Sequence, residues 1–178
     1  MNKYNFEQTR NDYMTPEEVY KPLLVEAGRE YFDMDVCCTT NNIPAFYYAT
    51  ESGITTFDKE LDARLTFASL DGLNCNWGLV NWMNCPFDKS RIWIMKAYEQ
   101  QQEGKTTYAI LPVRTETKYW HDYILNNPNC EIRYQIKGIR FIDPETMEQM
   151  GVFKNALAIV IFHGVKENNS HKQLRMVG

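Results

Sequence analysis

The sequence predicts an α/β fold, a mostly parallel sheet with helices on both faces and an antiparallel edge formed late in the chain. Two patterns carry that prediction. Short apolar, β-rich runs alternate with segments of helical periodicity. The last strand candidates then follow one another with no helix between them. The 178 residues are 44% hydrophobic and 24% charged, enough for one sizeable core, and no repeat or Ser/Pro/Gly-rich linker divides them. One domain is therefore expected over residues 13–165, between a polar arm (1–12) and a polar tail (166–178).

Thr15-Pro16-Glu17-Glu18 reads as a helix start, with Thr15 as N-cap, Pro16 at the first helical position and acids in the first turn. Val19, Leu23 and Leu24 form its expected buried stripe, and Gly28 its stop. Residues 31–38 read as a short strand, whereas 39–64 have poor periodicity and read as a surface excursion. Residues 78–84 form a strand candidate stopped by Pro86. Helical spacing of Ile92, Met95, Lys96 and Glu99 marks a helix over 90–102, closed by Gly104. A β-rich run at 106–111 stops at Pro112, and a short helix is expected at 118–125. Residues 131–136, 138–142 and 156–162 complete the strands.

In open sheets of this kind the active site gathers at the carboxyl ends of the strands. That rule puts Cys37-Cys38, residues 84–87 and residues 112–117 on one rim. The run at 156–162 is the longest apolar stretch and far short of a membrane span, so no membrane association is expected. The start, Met1 to Phe6, lacks the apolar stretch of a secretion signal, and five cysteines, an odd number, read as reduced thiols in a cytoplasm. Their spacing does not suit a zinc site, and no metal is expected. The net charge of −4 is unevenly spread. Residues 1–104 hold 9 basic and 16 acidic side chains, and residues 105–178 hold 10 and 7.

Asn84-Cys85-Pro86-Phe87 directly follows an apolar strand, and its residue types suit one task. An amine conjugated to an aromatic ring is a poor nucleophile because its lone pair is delocalised. Two acceptors that take the amine hydrogens push the nitrogen toward tetrahedral geometry and free that pair. The Asn84 side-chain oxygen is one such acceptor and the Cys85 main-chain carbonyl the other. Pro86 stiffens the turn and Phe87 offers a ring for stacking. No strong base is required, so the presence of only three histidines is no objection.

The tetrapeptide resembles the Asn/Asp-Pro-Pro-Tyr/Phe motif of amino-methyltransferases that use S-adenosylmethionine. More narrowly, the chain resembles the phage-type DNA N6-adenine methyltransferase (Dam-like) family from about Asp12 to about Phe162. The resemblance runs through Tyr13-Met14-Thr15-Pro16, Phe32-Asp33-Met34-Asp35-Val36-Cys37-Cys38, and Leu70-Asp71-Gly72-Leu73 before Trp77. It continues through the tetrapeptide, Leu111-Pro112-Val113-Arg114-Thr115-Glu116-Thr117 with Trp120-His121-Asp122, and Gly138-Ile139-Arg140-Phe141. It implies a Rossmann-like methyltransferase fold, S-adenosylmethionine as cofactor, DNA as partner and a cytoplasmic location, that of the host if phage-encoded. A monomer is the default. Little chain is left for a separate recognition domain, so specificity is expected to be short or loose.

The resemblance also implies roles. Thr15, Pro16, Asp35, Cys37, Asp71, Leu73 and Asn84 would hold the cofactor. Thr15 would meet its carboxylate, Asp35 its amino-acid or ribose portion and Asp71 the amine of its adenine. Phe87, Arg114, Thr115 and Thr117 would meet a flipped adenine or its phosphates. Plainer alternatives stand beside these: a helix cap for Thr15, a turn residue for Asp71, core packing for Trp77, Trp82 and Trp93, and solvated surface for His121, His163 and His171. Arg133, Lys137 and Arg140 fit a phosphate-facing edge or a solvated strand. An RNA base, a protein glutamine or an inactive binding role are the other functional readings. Cys85 stands where the motif usually has its first proline. If that position works through its carbonyl, Cys85→Pro retains methyl transfer to DNA in a labelled-cofactor assay. Transfer that vanishes in the variant contradicts the carbonyl role.

Overall fold

The computed structural model describes residues 13–38, 42–50, 53–56, 71–135 and 137–166, so the expected arm and nearly all of the expected tail lie outside the described residues. It is a mixed α/β structure. Helix α1 (Glu17–Glu26) precedes β1 (Phe32–Asp35), β2 (Ala45–Thr50), β3 (Gly53–Thr56) and β4 (Val80–Met83). A 3-10 turn (Phe87–Lys89) leads into α2 (Ser90–Gln102) and β5 (Thr106–Pro112). Helix α3 (Lys118–Trp120) runs on into a π-helical turn (His121–Leu125), followed by β6 (Cys130–Tyr134) and β7 (Leu157–Phe162).

The strands form one seven-stranded sheet in the order β3-β2-β1-β4-β5-β7-β6. β2, β1, β4 and β5 are mutually parallel along this row. The expected antiparallel character near the C-terminus is present, but β7 lies between β5 and β6, and β6 is the edge. β3, antiparallel to β2, closes the other edge.

Alternate residues of the central strands serve two separate cores. On one face Met83, Ala109, Leu111 and Val160 meet Trp93, Ile94 and Ala97 of α2 with Trp120 and Ile124. On the other, Trp82, Tyr108, Ile110 and Ile161 meet Tyr20, Leu23 and Leu24 of α1 with Ile139, Phe141 and Phe153. β7 is buried along its whole length, as a continuous apolar run between two covered faces requires. All four tryptophans are buried core residues, in agreement with the packing reading.

Several expectations need correction. The N-cap of α1 is Pro16 in extended conformation, with Glu17 the first helical residue, so Thr15 is not the cap. Pro16 itself takes ψ 152°, outside the helical region, so the first helical residue is one position further on. Gly28 does end the helix, at φ +65°, with Arg29 N–H donating to Leu24 O and Gly28 N–H to Val25 O. Val19 is half-buried, and Tyr20 joins Leu23 and Leu24 in the stripe. The 39–64 excursion holds β2 and β3 among its described residues, since backbone pairing with β1 needs no clean alternation. In α2 the buried stripe is Trp93, Ile94, Ala97, Gln100 and Gln101, while Ile92 is exposed. Pro112 is the last residue of β5 rather than its stop, because the Val113 N–H still pairs with Ala156 O. Residues 138–142 form no strand of the sheet; only Ile142 makes isolated bridges, to Met14 and Gln149.

Gly72 fixes the loop before β4. A Cβ there would lie 1.8 Å from Val36 O and 3.1 Å from Trp93 Cη2. Trp77 Nε1 donates to Gly72 O at 2.6 Å from below. Gly72→Ala forces backbone apart, and urea denaturation should register a loss of about 1–3 kcal/mol, the usual cost of overpacking.

Candidate active site at the carboxyl ends of β1, β4 and β5

The sheet order reverses between β1 and β4: one half of the chain builds outward through β2 and β3, the other through β5. The carboxyl ends of these two strands meet at the point of reversal, where open α/β sheets usually place a ligand crevice. β1 delivers Asp35 there, 4% exposed. Burial pushes its carboxyl from an ordinary value of 3.8 up to about 7, opposed by a Cys37 N–H at 3.4 Å. The Cys37 thiol, itself held neutral by burial, meets the backbone N–H of Asn84. That contact joins the end of β1 to the end of β4.

Asn84 Nδ2 donates to Tyr13 O at 3.2 Å and to Thr15 Oγ1 at 3.3 Å. Both amide hydrogens are thereby committed, and Oδ1 is left as the acceptor. Thr15 is 2% exposed, and its carbonyl takes a 3.0 Å bond from Asn42 Nδ2. Cys85 is buried and neutral: burial raises its thiol to about 12. Among the described residues, no donor reaches the Cys85 carbonyl. Pro86, at φ −52° and ψ 121°, turns the chain into the 3-10 turn, whose Phe87 carbonyl accepts from Ser90 Oγ at 2.7 Å. The half-buried Phe87 ring lies edge-on to Phe153 (5.3 Å) and Phe141 (6.4 Å).

The Asp71 turn abuts this crevice through the Gly72–Val36 contact. Asp71 Oδ1 accepts from Leu73 N–H and Oδ2 from Asn74 Nδ2, both at 2.6 Å. Its carboxylate shapes the turn and retains lone pairs for a further donor. Leu73 packs with Cys37 against the α2-side core. At the end of β5, Arg114 to Thr117 form a turn of their own, with Thr117 N–H and Oγ1 both bonded to Arg114 O. His121 Nε2 sits 2.7 Å from Thr115 O, which ties the turn to the next helix. Arg114, Thr115 and Glu116 are exposed, and among the described residues no hydrogen bond joins this turn to residues 84–87.

Thr15, Asn84 and Cys37 are therefore linked directly, Asp35 and Asp71 flank them, and the 114–117 turn stands on the same rim. Arg133 does not face a phosphate edge: Glu26 holds it in a bidentate pair at 2.6 Å and Glu131 at 2.5 Å. Sequence reasoning missed Tyr13 O, Asn42 and Phe153 as supports of the site. Tyr13 and Phe141 lay inside quoted motifs, whereas Asn42 and Phe153 carried no signal. Among the described residues no helix is long and apolar enough to cross a membrane.

A family model described as DNA N-6-adenine-methyltransferase (Dam) matches residues 4–172. No curated protein and no solved structure matches the chain.

Asp35 makes folding pH-dependent in the ligand-free protein. Because its folded value is raised, its contribution is fully present below about pH 4 and is lost as pH rises to about 7. Asp35→Asn should remove a stability decline on the order of a few kcal/mol over that window. Urea midpoints at pH 4.5 and about 7.5 in both proteins check it, and parallel curves overturn it.

Proposed function

The chain belongs to the DNA N-6-adenine-methyltransferase (Dam) family, and from that premise we propose that it transfers a methyl group from S-adenosylmethionine to N6 of an adenine swung out of DNA. The observation that carries the reading is the Asn84 amide, whose two hydrogens are committed to Tyr13 O and Thr15 Oγ1, leaving Oδ1 as the acceptor. A reading as a Rossmann-like methyltransferase fold is supported by the strand order, with its reversal between β1 and β4 and its single antiparallel strand between β5 and β6.

The residues at the crevice fit the cofactor. Asp35 is a buried carboxyl with one long backbone bond, a suitable partner for the cationic amino end of an amino acid. Thr15 and Pro16 stand at the start of α1, Cys37 and Leu73 supply an apolar wall, and Asp71 has acceptor capacity for an adenine amine. When bound, S-adenosylmethionine supplies an electrophilic methyl group on a sulfonium. The chain's own part is to prepare the nucleophile. Asn84 Oδ1 and the Cys85 carbonyl accept the two N6 hydrogens and localise the lone pair on nitrogen. Phe87 holds the base against its ring, and the proton released by nitrogen passes to solvent. The buried thiol of Cys85, neutral up to about 12, takes no nucleophilic role. Arg114 and Thr115 are exposed on the same rim, with Thr117 half-buried beside them, where phosphate contacts would position a duplex.

Asn84→Ala should lower labelled methyl transfer to DNA about 10²–10³-fold, the usual cost of a lost preorganised polar group. Parallel reactions with duplex DNA, RNA and protein acceptors test the substrate class. Undiminished transfer in the variant overturns the mechanism, and preference for another acceptor overturns the substrate.

A further inference from the structure

The β6–β7 connection contains a segment that closes on itself beside the site. Phe153 N–H donates to Ile139 O at 3.0 Å, Met150 N–H to Phe141 O at 2.8 Å, and Asp143 N–H to Glu148 O at 3.0 Å. Its turn includes Met147 at φ +58°. Three aromatic residues make one edge-to-face cluster: Phe141–Phe153 at 6.0 Å and 86°, Phe87–Phe153 at 5.3 Å and 75°, and Phe87–Phe141 at 6.4 Å and 63°. Phe141 and Phe153 are 2% and 6% exposed, whereas Phe87 is only half-buried. Two buried rings thus pack against a third that is still half-exposed.

The same segment is tied to the support of Asn84. Met14 N–H donates to Ile142 O at 3.0 Å, and Ile142 N–H returns to Met14 O at 2.9 Å. The residues on either side of Met14, Tyr13 and Thr15, supply both acceptors of the Asn84 amide. Tyr13 also packs on Phe141, centroids 6.0 Å apart. One bridge therefore holds the orienting groups of Asn84 and of Phe87 at a fixed separation.

Resting on the function proposed above, we infer that Phe141 and Phe153 are positioning residues that set the angle of the Phe87 ring. Through the Met14–Ile142 bridge, they hold that ring in register with Asn84 Oδ1. The ring quadrupole favours edge-to-face geometry between aromatic pairs, a directional preference that an aliphatic group of similar bulk lacks. Methyl transfer requires the base plane and the acceptors to be correct together, and a displacement on the order of 1 Å costs about a hundredfold in rate.

The experiment combines two readouts. The first is the ¹⁹F spectrum of 4-fluorophenylalanine placed at position 87, which needs no activity. The second is single-turnover methyl transfer to DNA at saturating cofactor, alongside cofactor affinity by calorimetry. Phe153→Leu should shift or broaden the fluorine signal and slow transfer about 10–100-fold, with cofactor affinity within about twofold of wild type. Phe153→Tyr, which restores the ring, should recover both. Phe141→Leu serves in the same role if Phe153→Leu does not fold, as judged by circular dichroism. An unmoved fluorine signal overturns the inference, as does a moved signal with an unchanged transfer rate or a loss confined to cofactor affinity. If the wild type methylates no DNA, the proposed function fails, and the ring-setting claim is decided by the fluorine spectrum alone.

Discussion

The site depends on one side-chain amide that is bonded on both hydrogens. Asn84 stands just beyond β4, and its donors go to the chain that enters α1, 71 and 69 residues earlier in sequence. An asparagine free to flip offers a donor or an acceptor at the same point in space. Committing the nitrogen side to Tyr13 O and Thr15 Oγ1 removes that ambiguity and leaves an acceptor. The two bonds also join elements that the sheet alone does not connect, because α1 contributes no strand. Correct docking of α1 over Trp82 is therefore a condition for a correct acceptor, and Tyr20, edge-on to Trp82 at 6.3 Å, belongs to that docking.

Electrostatics acts in two different ways across the molecule. On the surface, pairs such as Lys118–Asp122 and Arg114–Glu116 are exposed, and such pairs contribute little each. Arg133 is different in kind, since Glu26 and Glu131 together clasp it and thereby link α1 to the edge strand β6. Inside, Asp35 has no cationic side chain among the described hydrogen-bond and ion-pair partners, and burial alone keeps it near neutral pKa. A buried carboxyl of this kind is costly in the free protein. It becomes useful once a cation arrives to share the low dielectric, which is the logic of a binding residue rather than a folding one.

Legibility in the sequence followed how locally each feature was encoded. The helix over Ser90–Gln102 was readable in its extent because Gly104, which takes φ +85°, stops it locally, although its buried stripe runs through Trp93, Ile94 and Ala97 and not through Ile92. β7 was readable because a strand covered on both faces must be apolar throughout. β2 was missed because its evidence is non-local: it lies parallel beside β1, and among the described residues of the connection none is helical. Residues 138–142 misled in the opposite direction. Ile139 and Phe141 alternate as in a strand and are buried as in a strand, but they cover the face of the sheet instead of extending its edge. In the site, the tetrapeptide announced itself through adjacent residues. Asn42 and Phe153 act through contacts 27 and 66 positions away, for which sequence spacing holds no pattern.

The same misreading explains how the fold makes a site on the α1 side of the sheet. α1 runs only from Glu17 to Glu26, and part of the apolar face presented by Tyr108, Ile110 and Ile159 is covered instead by Ile139, Phe141 and Phe153. A helix satisfies its own backbone and would need only to pack. A non-helical segment must bond elsewhere, and this one does so partly with itself and partly with Met14. The bond to Met14 brings an aromatic cover against the entry to α1, at the point where Asn84 is oriented. Covering the core and aligning the two halves of the tetrapeptide are therefore one structural act. That is why aromatic residues, which fill volume and also favour edge-to-face geometry, are found there in place of leucines.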